Sequence, residues 1–114
     1  MDAFEREISE ALLAMEAELR FLSLWASEAP PAQYLLSTQP FCCDTLEFPQ
    51  WMQWVLLPRM WHIVEQAGPY PARCGIHGYA EEWAMHQGAD SLPLLDLIKR
   101  FDALIEDRSA GSLR

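Results

Sequence analysis

Apolar residues recur at three- and four-residue spacing along most of this chain. Nowhere do they alternate with polar residues for long enough to suggest a strand. Over 2–28, Phe4, Ile8, Leu12, Met15, Leu19, Leu22 and Trp25 form one apolar stripe, and Glu5, Arg6, Glu10, Glu16 and Arg20 lie mostly off it. The pattern predicts a long amphipathic first helix, stopped by Pro30 and Pro31. Residues 29–44 break the period. The polar run Ser37-Thr38-Gln39 and Pro40 predict a long connection, with Tyr34, Leu35, Leu36 and Phe41 expected to hold it on the core. Unstructured loops longer than about 12 residues are uncommon and often functional.

Residues 45–67 predict a second helix. Its start has two readings: a capping box over Asp44–Glu47, or a cap at Phe48 with Pro49 as the first helical residue. At about 100° per residue, Trp51, Trp54, Val55, Pro58, Trp61 and His62 fall on one side, and Met52, Leu56, Met60 and Ile63 on another. A helix apolar nearly all round is expected to be the most buried element. Pro58 is expected to kink it, and Gly68-Pro69 to end it. A turn-rich linker follows over 68–77. A short helix is expected over Gly78–Gln87, with Tyr79, Trp83 and Met85 as the residues facing in, closed by Gly88. Asp90 is then expected to cap a last helix through about Asp107, whose apolar face is Leu94, Leu97, Ile98, Phe101, Leu104 and Ile105. Residues 109–114 read as a frayed tail. The expected architecture is all-α: a single domain over 1–114, a small up-and-down four-helix bundle with a long structured loop between helices 1 and 2.

Charge narrows the choice of partners. The chain carries 17 acidic against 8 basic residues, a net charge of −9. The basic residues are scattered, and only Lys99 and Arg100 are adjacent. Phosphate neutralisation supplies most of the affinity for nucleic acid, so a duplex would meet a repulsive field and direct nucleic-acid binding is not expected. An anionic membrane surface is disfavoured on the same ground. The N-terminus is acidic from Asp2 onward and lacks the uninterrupted apolar stretch of a signal peptide, so a cytoplasmic protein is expected.

Candidate chemistry is sparse. Cys42, Cys43 and Cys74 form no C-x-x-C pair and read as free thiols. Cys74-x-x-His77 with a remote cysteine is a poor zinc set, because structural zinc takes four ligands in paired knuckles, and no metal or cofactor is expected. The sequence has no Gly-rich phosphate loop, no H-E-x-x-H and no G-x-S-x-G. The tryptophans Trp51, Trp54 and Trp61 suit either a core or a binding hot spot. Arg59, if buried, needs a carboxylate, and Asp44 or Glu47 is the expected source.

The segment 37–60 carries a resemblance. Ser37-Thr38-Gln39-Pro40-Phe41, Asp44-Thr45, Trp51-x-Gln53-Trp54-Val55 and Pro58-Arg59-Met60 resemble the YqcC-like family of small bacterial proteins of uncharacterised function. A long first helix, a short Tyr/Glu-containing helix and a leucine-rich last helix with Phe101-Asp102-Ala103-Leu104 extend the resemblance over nearly the whole chain. The chain departs from the family picture at Pro49, at Cys42-Cys43 and around His77-Gly78. The resemblance implies an all-α bacterial cytosolic protein and brings no catalytic residue or cofactor. It also implies a gene setting often near a tRNA pseudouridine synthase.

The first reading is therefore a non-enzymatic interaction module with a protein partner, an accessory to an RNA-modification enzyme. Its candidate surface combines Gln39, Asp44, Trp51, Gln53, Trp54 and Arg59. A second reading is a small anionic-ligand binder with Arg59 beside a concave, tryptophan-lined site of several hundred Å³ (about 300–1,000 Å³ is usual). A third is an enzyme using Cys42, Cys43 or Cys74 with a histidine. Either a monomer or a homodimer is compatible with the sequence.

Overall fold

The computed structural model describes residues 2–112, with 109–112 as backbone alone. Four helices make the frame, and no strand occurs among the described residues. Helix α1 spans Ala3–Phe21. The Asp2 carboxylate accepts the Glu5 backbone N–H at 2.7 Å, which satisfies one orphan donor of the first turn. Ile8, Leu12, Met15 and Leu19 form the fully buried stripe, while Phe4, Leu22 and Trp25 pack at its margins.

Helix α1 ends earlier than the expected residue 28. Ser23 takes a left-handed φ of 61°. Its N–H donates to Arg20 C=O at 3.1 Å, and Leu24 N–H donates to Leu19 C=O at 2.8 Å. This is a Schellman closure with serine in the seat glycine usually takes. The apolar period continues past it without continuing the helix, since Leu24 and Trp25 fold back from an irregular segment.

The connection to α2 contains two short 3₁₀ turns, Ala32–Leu36 and Pro40–Cys42. Tyr34, Leu35 and Leu36 are exposed, contrary to the expected anchoring role; only Phe41 packs inward. Hydrogen bonds hold this loop instead. Thr45 Oγ1 donates to Tyr34 C=O at 2.7 Å, and Ser37 Oγ donates to the Asp44 carboxylate.

Helix α2 begins over Phe48–Trp51, widens to a π turn over Met52–Leu56, and continues over Leu57–Glu65. Glu47 occupies the cap position, and its N–H donates to Gln50 Oε1 at 2.9 Å. Asp44 belongs to the preceding turn, so of the two expected starts the later is correct to within one residue. The expected kink at Pro58 is realised as the π turn: Leu57 N–H reaches back to Met52 C=O. A proline cannot donate to the carbonyl four residues earlier and its ring crowds that carbonyl, so widening the preceding turn relieves both problems. Ala67, not Gly68, takes the left-handed closing position, with φ 58°.

Helix α3 covers His77–Ala84 and α4 covers Leu92–Ser112. Tyr79 and Trp83 pack on the core as expected, but Met85 follows the last turn of α3 and is exposed. A 3₁₀ turn at Ala89–Ser91 precedes α4, so Asp90 lies before the helix and is not its cap. Helix α4 runs past the expected end at Asp107; residues 113–114 of the expected frayed tail lie outside the described residues. Helix α1 packs along α4 and against the second half of α2, and α3 packs on α4. Leu94, Ile98, Phe101 and Ile105 supply the α4 side of the core.

Candidate interaction site

The π turn decides what α2 presents. On an unbroken helix Trp51 and Trp61 would sit about 80° apart and Trp51 and Arg59 likewise. One extra residue in a turn shifts the register by about 100°. Trp61 is thereby carried to the far side from Trp51, and Arg59 is brought to within about 20° of it. The expected three-tryptophan cluster therefore does not form. Trp51 is buried among aromatics, in edge contact with Phe41 at 4.9 Å. Phe41 stacks on Tyr79 at 4.6 Å, and Phe48 lies 5.6 Å from Trp83, which ties the loop, α2 and α3 together. Trp54 and Trp61 are each half-buried elsewhere on the helix.

Trp51 and Arg59 line a groove of about 460 Å³ between α2 and the linker 69–76. Leu56, Met60, Ile63, Ile76 and Phe41 make its apolar floor and wall, and Pro69, Tyr70, Pro71, Arg73 and Cys74 close the other side. Arg59 and Arg73 are the charged residues lining it, with no carboxylate among the lining residues. Neither has a carboxylate within 4.0 Å among the described residues. The expected pairing of Arg59 with Asp44 or Glu47 is absent, because Arg59 is exposed and Asp44 is engaged by Ser37. Tyr70 is positioned by Phe4, edge-on at 4.8 Å, and by the Arg108 guanidinium, 5.1 Å from its ring centre. A second groove of about 480 Å³ runs between α1 and α4, but there Glu7, Glu10 and Asp107 stand with Arg100, so its lining is net acidic.

The six candidate residues do not form one continuous surface. Gln53 is buried and faces away from the groove: its Oε1 accepts Ala26 N–H at 2.7 Å and its Nε2 donates to Ala26 C=O at 2.8 Å. Both ends of the amide are used, so Gln53 staples the segment after α1 to α2. Trp54 lines a separate depression with Arg20, Trp25 and Pro58; its Nε1 is buried with no partner among the described residues. Gln39 and Asp44 are exposed in the loop, where Gln39 N–H donates to Ser37 Oγ at 3.1 Å. Trp51 and Arg59 share the groove, and Gln53 and Trp54 share the separate depression.

Two residues missed in the sequence matter here. Arg73 shares the groove with Arg59 and gave no signal beyond being a lone arginine in a turn-rich linker. Asp102, buried on α4, accepts His77 N–H at 2.8 Å and so caps α3 from another helix. Burial pushes its carboxyl above the usual range, partly opposed by the His77 and Ile76 N–H groups. Cys74 is also shifted: burial, with a further push from Asp102 and a smaller counter-pull from Arg59, takes its thiol up to about 11. That direction is opposite to what a thiolate nucleophile requires.

The DUF446 family model, described as "tRNA pseudouridine synthase C", matches residues 7–104. "Uncharacterized protein YqcC" of Escherichia coli K12 is 34% identical over 96 residues, 84% of this chain and 88% of that one. The chain belongs to the YqcC-like (DUF446) family. The solution NMR structure of E. coli YqcC superposes with a TM-score of 0.82 at 31% identity, covering 93% of this chain and 91% of that one. A third similarity has a different form. A protein of Pectobacterium carotovorum named "tRNA pseudouridine synthase C" is 34% identical over 61 residues, 54% of this chain but 16% of that protein. Within the family frame the motif of segment 37–60 divides by task. Ser37, Asp44 and Thr45 hold the loop, Gln53 ties the segment after α1 to α2, Pro58 sets the π turn, and Trp51 and Arg59 line the groove.

Proposed function

We propose that this chain is a non-enzymatic interaction module that serves a tRNA pseudouridine synthase through protein–protein contact. The observation that carries this reading is the match to part of a much longer protein bearing that enzyme's name. A region like this one occupies a small share of that chain, so most of the relative lies outside the shared region. The family description points the same way. Physical support comes from charge: at −9, the module would be repelled by tRNA, so its contribution would come through the enzyme. The raised Cys74 thiol argues against cysteine chemistry at the groove. On this reading the protein works in the cytoplasm, where its partner meets tRNA.

The test is to mix the purified chain with the purified pseudouridine synthase of the same organism, without RNA, and measure the mass of the product by light scattering. A defined complex is expected, as is a change in the enzyme's tRNA turnover when the module is added. Two separate peaks at concentrations well above the micromolar range would remove this reading.

A further inference from the structure

We infer that the groove between α2 and the linker 69–76 is the docking site for a partner segment that carries a large apolar side chain next to carboxylates. The inference rests on the accessory reading, which names the synthase as the source of that segment.

The argument begins with charge placement. Acidic residues outnumber basic ones by 17 to 8, yet the charged residues lining this groove are Arg59 and Arg73. They come from different elements, one from α2 and one from the linker, and only the tertiary fold puts them on one site. Both are exposed, and neither has a carboxylate within 4.0 Å among the described residues. Guanidinium groups are planar forks that bind carboxylates bidentately and lose hydration more readily than an ammonium. Between them lies an apolar floor that includes Trp51, Met60 and Ile63. A tryptophan and arginines around an apolar depression are the composition of an interface hot spot.

The rest of the surface limits the occupant. A phosphate would also pair with guanidinium, but a nucleic acid would extend beyond the groove onto an acidic surface and be repelled. A short segment confined to the groove avoids that field. At about 460 Å³ the site accommodates a large side chain with its flanking backbone. The complementary chemistry is thus an aromatic or aliphatic anchor with Asp or Glu beside it.

Titration calorimetry of the purified chain against the purified synthase tests this. Arg59→Ala/Arg73→Ala should bind about tenfold more weakly or worse, with its helical circular dichroism unchanged because both side chains are exposed. Arg59→Lys/Arg73→Lys should recover part of the loss, and Arg100→Ala on the other groove should bind as wild type does. Equal affinity for wild type and the double alanine variant would overturn the docking site and leave the accessory reading standing. No binding by wild type would overturn both. Native mass spectrometry supplies the competing outcome. A small anion retained by wild type and lost in the double variant, with synthase binding unaltered, would assign the groove to a ligand and overturn the inference.

Discussion

Gln53 was expected on a binding surface because an isolated polar residue in an apolar helix calls for an explanation. Its explanation is the backbone of Ala26, whose N–H and C=O it satisfies together. Each such bond contributes about 0.5–1.5 kcal/mol, and leaving buried partners unmet costs more. Gln53→Ala should therefore lose about 2 kcal/mol and lower Tm by several degrees, read by thermal circular dichroism. Asp102 makes the matching case for charge. The folded chain raises its carboxyl, so it holds a proton more tightly than the unfolded chain does. Stability from this group is fullest below the unfolded carboxyl value of about 4 and is lost as pH rises through the folded value. Asp102→Asn keeps an acceptor for His77 but does not titrate. The stability of wild type relative to this variant should fall as pH rises above about 4 in urea titrations; a flat difference would mean that the carboxyl is not raised. The three thiols should also separate by rate. Cys43 is exposed, Cys42 is buried, and Cys74 is both partly covered and raised to about 11. A thiol reagent near pH 8 should label Cys43 first, and mass mapping of early products checks it.

At the scale of elements, both α1 and α2 close on non-glycine residues in left-handed conformation, Ser23 and Ala67. Ala67 N–H donates to Val64 C=O and Gly68 N–H to Ile63 C=O, the Schellman pair again. A left-handed residue with a Cβ costs about 1–2 kcal/mol, and glycine returns part of the gain through its freer unfolded chain. Ala67→Gly should stabilise the fold by up to about 1 kcal/mol, a rise of a few degrees in Tm; a fall would show that the Ala67 side chain contributes packing. These ends explain the boundaries that hydrophobic period misplaced. Leu22 and Trp25 kept the rhythm of a helix because they still pack on the core, although the backbone had already turned. The buried faces of α1 and α4 were read correctly, since Ile8, Leu12, Met15 and Leu19, and Leu94, Ile98, Phe101 and Ile105, follow an undisturbed period. On helix α2 the side of Met52, Leu56, Met60 and Ile63 also packs on the core, but the tryptophan side does not hold together, because a wheel drawn at constant pitch cannot register a π turn. Pro58 was the available signal, and it pointed to a distortion without saying which kind.

Across the whole molecule the acidic balance and the arginine-lined groove make one combined expectation. The chain alone should give no shift of tRNA in a gel at micromolar concentration and low salt, because it lacks the basic surface that supplies non-specific affinity. A shift would require a basic patch and would redirect the function toward RNA contact. The same low-salt condition should strengthen docking at Arg59 and Arg73 if carboxylates fill the groove. Neither groove nor acidic surface needs a moving part: α1, α4 and the second half of α2 pack on one another around a continuous core, and the groove lies on its outside. Among the described residues no helix is long and apolar enough to cross a membrane.

Taken alone, the sequence determined the helical class, the buried faces of the regular helices, the family and the sign of the surface. The family follows from the motif resemblance of segment 37–60; the others follow from composition and from periods of a few residues, which act over short range. The tertiary structure alone decided the roles of Gln53 and Asp102, whose partners lie 27 and 25 residues away. It also decided that Trp61 leaves Trp51, and that Arg59 meets Arg73. Each depends on how separate segments are rotated and packed, and a one-residue slip in a single turn of α2 is enough to choose which side chains share a face.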